Sequence, residues 1–183
     1  VFTIFQPYEF TNTYLISRRS SGDAILVDPG SFDLNLLNLI EKNHYYISHV
    51  LLSHSHINHT KGIPTLMKIY NARIYSMKPV IHGYSTEVIE KETVLHIAGL
   101  KVTAIPLPGH SDDSLIFKLD NMLFTGDTIK AGYTGETPGL KEQHAMTALI
   151  RKKIFKLTGE YLLFPGHGAP TTLAAEKKSN LLI

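Results

Sequence analysis

Four short apolar runs in this chain each end in a turn that carries a metal-ligand side chain, and this recurrence limits the folds open to it. The run His49-Val50-Leu51-Leu52-Ser53 passes directly into His54-Ser55-His56-Ile57-Asn58-His59. A strand pattern at 101–106 is followed by Pro108-Gly109-His110-Ser111, and one at 122–126 closes with Gly126-Asp127-Thr128. A fourth, at 161–164, leads to Pro165-Gly166-His167-Gly168. Any one of these histidines alone would read as a polar surface residue. Ligand-type residues at four strand ends, mostly beside a glycine that lets backbone approach closely, instead describe one rim of a sheet structure.

The rest of the pattern fits such a rim. Residues 2–6, 12–17 and 24–28 are short β-forming runs separated by turn residues, and Asp28-Pro29-Gly30 ends the third. A helix is expected around Leu34, Leu37, Leu39 and Ile40 with Ser31 as its cap. Another is expected from Gly62 to Tyr70, then a strand at 73–76 and a mixed, partly helical stretch at 79–92. Further strands fall at 93–97, 101–106, 114–119 and 122–126, the last pair a hairpin. A helix over 141–157 would bury Ala145, Leu149, Ile150, Ile154 and Leu157, and a last helix spans about 171–180. Two such halves predict an α/β, four-layer αββα sandwich, with residues 1–183 as a single domain. The glycine-rich stretch 129–140 reads as a functional loop.

Composition narrows the chemistry. The chain of 183 residues has 43% hydrophobic residues and a formal net charge of +2, so no strong field points to nucleic acid or an anionic membrane. No apolar run approaches the ~20 residues that span a bilayer, and no signal-peptide pattern opens the chain. There is no cysteine, which removes disulfides, thiolate ligands and cysteine nucleophiles and fits a reducing, cytoplasmic setting. Ten histidines leave imidazole as the available metal ligand, suited to zinc or iron. His44, His82, His96 and His144 stand outside the strand-end turns and read as surface or packing residues, while His49 fits either role. Tyr133 and Lys141 border the glycine-rich loop, where solvated residues are the plainer reading beside a substrate contact.

With these residues in view, the chain resembles the metallo-β-lactamase superfamily, and within it the glyoxalase II-like (hydroxyacylglutathione hydrolase-like) branch. The family run His-x-His-x-Asp-His, followed by Gly-His, Gly-Asp and Gly-His turns, is matched in order by His54 to His59, Gly109-His110, Gly126-Asp127 and Gly166-His167. The ending Pro165 to Thr172, then Glu176 to Asn180, is similar to the same branch. The resemblance implies two metal positions. His54, His56 and His110 would hold the first, His59 and His167 the second, with Asp127 bridging. It also implies a zinc-dependent thioesterase that turns metal-activated water on a small-molecule acyl or thioester substrate.

Three departures qualify that expectation. Asn58 occupies the place of the family's second-site aspartate, which is both a ligand and a proton acceptor; a neutral amide is the poorer donor to zinc. No counterpart of the helical C-terminal substrate domain of glyoxalase II is expected after His167. The family's Gly-Arg-Thr stretch reads Gly132-Tyr133-Thr134. Catalytic weight therefore rests on Asp127 and Asn58, with one or two zinc ions expected and iron the alternative. Asp28 and Asp112 are candidate partners for imidazole N–H groups. Two other readings stay open: a mononuclear iron, persulfide dioxygenase-like oxidoreductase using His54, His110 and Asp127, and a degenerate, non-catalytic member.

Overall fold

The computed structural model describes every residue except Tyr8. The first half of the chain forms β1 (Phe2–Gln6), β2 (Thr11–Ile16), β3 (Gly22–Val27), α1 (Leu34–Lys42) and β4 (Tyr45–Leu51). Two one-turn helices follow, α2 (Ile57–Thr60) and α3 (Ile63–Leu66), then β5 (Arg73–Ser76), β6 (Val80–Ile81), β7 (Tyr84–Ser85) and β8 (Glu87–Val88). The second half supplies β9 (Thr93–Ile97), β10 (Leu100–Pro106), β11 (Leu115–Leu119), β12 (Met122–Gly126), β13 (Ile129–Lys130) and β14 (Tyr133–Thr134). Helix α4 (Leu140–Leu149), β15 (Leu162–Pro165), β16 (Thr171–Thr172) and α5 (Leu173–Ser179) complete it.

Six strands make each of two sheets, in the orders β1-β2-β3-β4-β5-β8 and β16-β15-β12-β11-β10-β9. Alternation along the strands decides what each face buries. Tyr14, Ile16, Ile25 and Val27 point between the sheets toward Val102, Ala104, Leu115, Phe117 and Phe124. Their neighbours Leu15, Ala24 and Leu26 face outward onto Leu36 and Ile40 of α1 and Ile63 and Leu66 of α3. On the other side Ile105, Ile116, Leu123 and Leu163 pack under Met146 of α4 and Leu173 of α5. The strands are apolar on both faces because both faces are covered. The result is the expected four-layer αββα sandwich.

Rings of Tyr14, Phe124 and Phe164 meet at 5.2–5.5 Å between the sheets. Pairs of this kind contribute about 0.5–1.5 kcal/mol each beyond area burial. Close by, Ser53 O accepts from Leu115 N at 2.7 Å and Gly166 O from Asn12 N at 2.7 Å. These backbone bonds tie the two sheets together at the rim that carries the histidines.

Several local expectations are corrected. Asp33, not Ser31, caps α1, accepting from Leu36 N at 2.9 Å; the Ser31 hydroxyl bonds Gln6 instead. The helix expected over 62–70 is confined to α3, because the ladder slips from i−4 to i−3 spacing at Lys68 and Ile69. The 79–92 stretch holds no helix: β6 and β7 form a hairpin turned by His82-Gly83, both at positive φ, as a type I′ turn requires. The buried stripe of α4 is Met146, continuing through Ile150 and Ile154 on a π-helical turn (Ile150–Ile154), while Ala145 is exposed. The 129–140 stretch is not wholly irregular, since β13 and β14 pair within it. No helix among the described residues is long and apolar enough to cross a membrane.

Candidate metal centre

The six ligand-type residues arrive from different elements. His54 follows β4, His56 caps α2 and His59 lies within it, His110 follows β10, Asp127 follows β12 and His167 follows β15. Two subsets converge: ligand atoms of His54, His56 and His110 lie within 4.8 Å of one another, as do those of His54, His59 and Asp127. His167 joins through Nδ1, 2.8 Å from Asp127 Oδ1. Close approach is possible because Gly166 has no side chain, and a Cβ there would collide with His59 Cε1 and Asp127 Oδ1.

Hydrogen bonds behind the imidazoles set their tautomers. Asp28, at the end of β3, accepts from Ser53 N at 2.7 Å and from the Ser53 hydroxyl at 2.5 Å. It also faces His59 Nδ1 at 3.1 Å, and a carboxylate there makes Nδ1 the donor. Since the Ser53 hydroxyl donates to Asp28, its oxygen is left to accept from His54 Nδ1 at 3.0 Å. His110 Nδ1 donates to Glu136 O at 2.8 Å. All three rings therefore present the Nε2 lone pair to the centre.

Nε2 of His54 and of His59 are buried with no hydrogen-bond partner among the described residues. An orphaned, inward-facing lone pair is costly unless a cation takes it. The 3.2 Å between His110 Nε2 and His56 Nδ1 also matches an edge of roughly 3.3 Å for two nitrogens bound tetrahedrally at zinc. On both counts the residues fit a divalent ion.

The protonation preferences agree. Burial, reinforced by the neighbouring His59, pushes His54 well below the ordinary imidazole range, and burial lowers His110 too, which favours the neutral rings that a metal requires. Burial would also lower His59, but the hydrogen bond and charge of Asp28 outweigh it and raise the ring. A cation at Nε2 would compete with a proton for that lone pair. Burial would raise Asp127, yet the His167 hydrogen bond and the nearby His59 and Lys130 hold it well below the usual carboxylate range.

Asn58 stands beside this centre, its Nδ2 3.3 Å from His167 Nε2, which also lies 3.2 Å from Glu9 O. Asp28 meets its expectation as an imidazole partner. Asp112 does not: it is exposed and paired with Lys78 at 2.8 Å. His49 lies within β4, stacked on Tyr75.

An open pocket of about 770 Å³ adjoins the centre, lined by His110, Asp127 and His167 and by the β13–β14 hairpin and the residues after it. Tyr133 lines it and Lys141 does not. Sequence reasoning passed over Lys130, whose ammonium lies 3.8 Å from Asp127 Oδ2 and 5.2 Å from the centre of the Tyr133 ring. Its spacing three residues after Asp127 was the only available signal.

An αββα sandwich with imidazoles and a carboxylate gathered on one rim defines a metal-binding class of fold. This chain belongs to the metallo-β-lactamase superfamily, whose family model matches residues 7–87 and 76–167. It is similar to the atrochrysone carboxyl ACP thioesterase of Aspergillus fumigatus, 34% identical over 171 residues, covering 87% of this chain and 51% of that protein. The chain thus spans about half the length of that relative. Among solved structures, ETHE1 from Myxococcus xanthus matches with a TM-score of 0.88 at 24% identity, over 98% of this chain and 82% of that one. TTHA1623 in a di-iron-bound form matches at 0.84 and 23% identity, over 100% of both chains.

Proposed function

We propose that this chain is a metal-dependent hydrolase of the glyoxalase II-like kind that cleaves a small-molecule acyl thioester, most simply with zinc. The observation that carries the reading is the pair of convergent ligand groups that share His54, with Nε2 of His54 and of His59 buried and unpaired among the described residues, beside an open pocket. His54, His56 and His110 would hold one ion with Asp127. His59 and His167 would hold a second, weakened by Asn58. When bound, a divalent ion supplies Lewis acidity, lowering the pKa of water from about 15.7 to about 7 and polarising a carbonyl.

The chain's own groups do the rest. Asp28 and Ser53 keep His54 and His59 in the ligating tautomer. Asp127 stays ionised as the shared anionic anchor. Lys130 and Tyr133 line the pocket where a substrate would be oriented. A thiol of pKa around 8.5 departs as thiolate near neutral pH, so the leaving group needs no strong acid from the protein. The Aspergillus relative named as an ACP thioesterase supports the thioester class. The cysteine-free composition supports a cytoplasmic setting.

The place of Asn58 favours one second reading, a single-iron oxidoreductase acting on a persulfide, with the ion held by His54, His110 and Asp127. Protein purified without chelator or added metal is tested by elemental analysis, thioester turnover and oxygen uptake with a persulfide. Zinc with thioester cleavage supports the proposal. One iron per chain with persulfide-dependent oxygen uptake overturns it.

A further inference from the structure

Glu176 is buried at 3% exposure, on α5, and lines neither the metal centre nor the pocket. A carboxylate so placed needs donors, and it has three. Thr171 Oγ1 donates to it at 2.7 Å, Asn180 Nδ2 at 2.6 Å, and Gly132 N to both its oxygens at 3.0 and 3.2 Å. Asn180 Nδ2 also reaches Tyr133 O at 3.1 Å, and Leu181 N reaches Gly132 O at 3.3 Å. Gly132 sits at φ +86° in the turn between β13 and β14.

That hairpin is only two residue pairs long, so its own ladder cannot hold it. Yet it carries Lys130 and Tyr133 into the pocket, and Glu136 just beyond it orients His110. We propose that Glu176 is a positioning residue: with Asn180 it clamps the β13–β14 hairpin from behind and so sets the shape of the pocket's substrate-facing wall. The inference rests on the reading that this pocket receives the substrate. It assigns Glu176 and Asn180 to holding the substrate-facing wall rather than to holding the metal.

The test compares zinc-loaded wild type with Glu176→Ala and Glu176→Gln, by hydrogen-exchange mass spectrometry, metal content and thioester kinetics. In Glu176→Ala, exchange in peptides covering 129–136 should rise about tenfold or more while β12 and β15 keep wild-type protection, since a bond to a charged acceptor is lost. KM should rise about tenfold with kcat within about twofold, the pattern expected when contacts made equally in the ground and transition states are lost. Glu176→Gln retains one acceptor oxygen for Gly132 N and should recover part of both effects. Should the alanine variant not fold, Asn180→Ala leaves Glu176 its bonds to Gly132 and Thr171, removes the Asn180 bonds to Tyr133, Glu176 and Leu182, and should shift exchange and KM in the same direction. Unchanged exchange at 129–136, or a loss of metal and kcat with KM unmoved, overturns the clamp. Absence of thioester turnover in wild type would sink the hydrolase reading, while the exchange measurement still decides the clamp.

Discussion

Nδ1 of His59 lies 3.1 Å from Oδ2 of Asp28, and that contact turns the other ring nitrogen toward Asp127. The same carboxylate holds Ser53, which in turn holds His54. One buried acid thus orients two ligands that stand on different elements.

Asp28→Asn keeps the shape but places an amide against the His59 N–H. Zinc affinity, measured by chelator competition, should fall about 10- to 100-fold. Wild-type affinity in the variant would mean the tautomers are set elsewhere.

Asn58→Asp restores an anionic oxygen beside His167 Nε2. Metal content should rise toward about two ions per chain, because a carboxylate is the better ligand and balances the added charge. Unchanged stoichiometry by elemental analysis would remove Asn58 from the account of the second position.

Gly166→Ala puts a methyl against His59 and Asp127. The sandwich should survive, since Gly166 belongs to none of its three apolar clusters, while metal affinity drops by more than about tenfold through misplaced ligands. Circular dichroism and metal content together check this; a variant with full metal content would contradict it.

Tyr14 donates its hydroxyl to Pro165 O at 2.5 Å, and burial, reinforced by Asp28, pushes its pKa far above the ordinary phenol range. The neutral form is the native one, so the stabilisation is complete below the unfolded value of about 10 and is lost as pH rises through the folded value. Tyr14→Phe should cost about 1 kcal/mol at neutral pH. In denaturant titrations that difference should shrink as pH climbs above about 10, where the wild type releases one more proton on unfolding than the variant does. A constant difference across that range would refute the assignment.

Much of the fold was legible because the signals are local. Ile25 and Val27 against Ala24 and Leu26 alternate with period two, and both sets are apolar, which announces a strand covered on both faces. Ser31 was misread as a cap because capping depends on where the chain enters the helix, which Asp33 decides by reaching Leu36 N. Lys130 escaped notice because a lysine in a loop reads as solvated until a neighbouring carboxylate and ring are seen beside it.

The sequence by itself determined which side chains can bind a metal and that they stand at the ends of strands, since residue type and period-two burial are properties of neighbouring positions. Only the tertiary structure decided which lone pairs face inward, that Asp28 governs both His54 and His59, that Asp112 pairs with a surface lysine, and that Glu176 braces a distant hairpin. Hydrogen bonds act over about 3 Å between groups far apart along the chain, and no local pattern records such a distance before the sheets have packed.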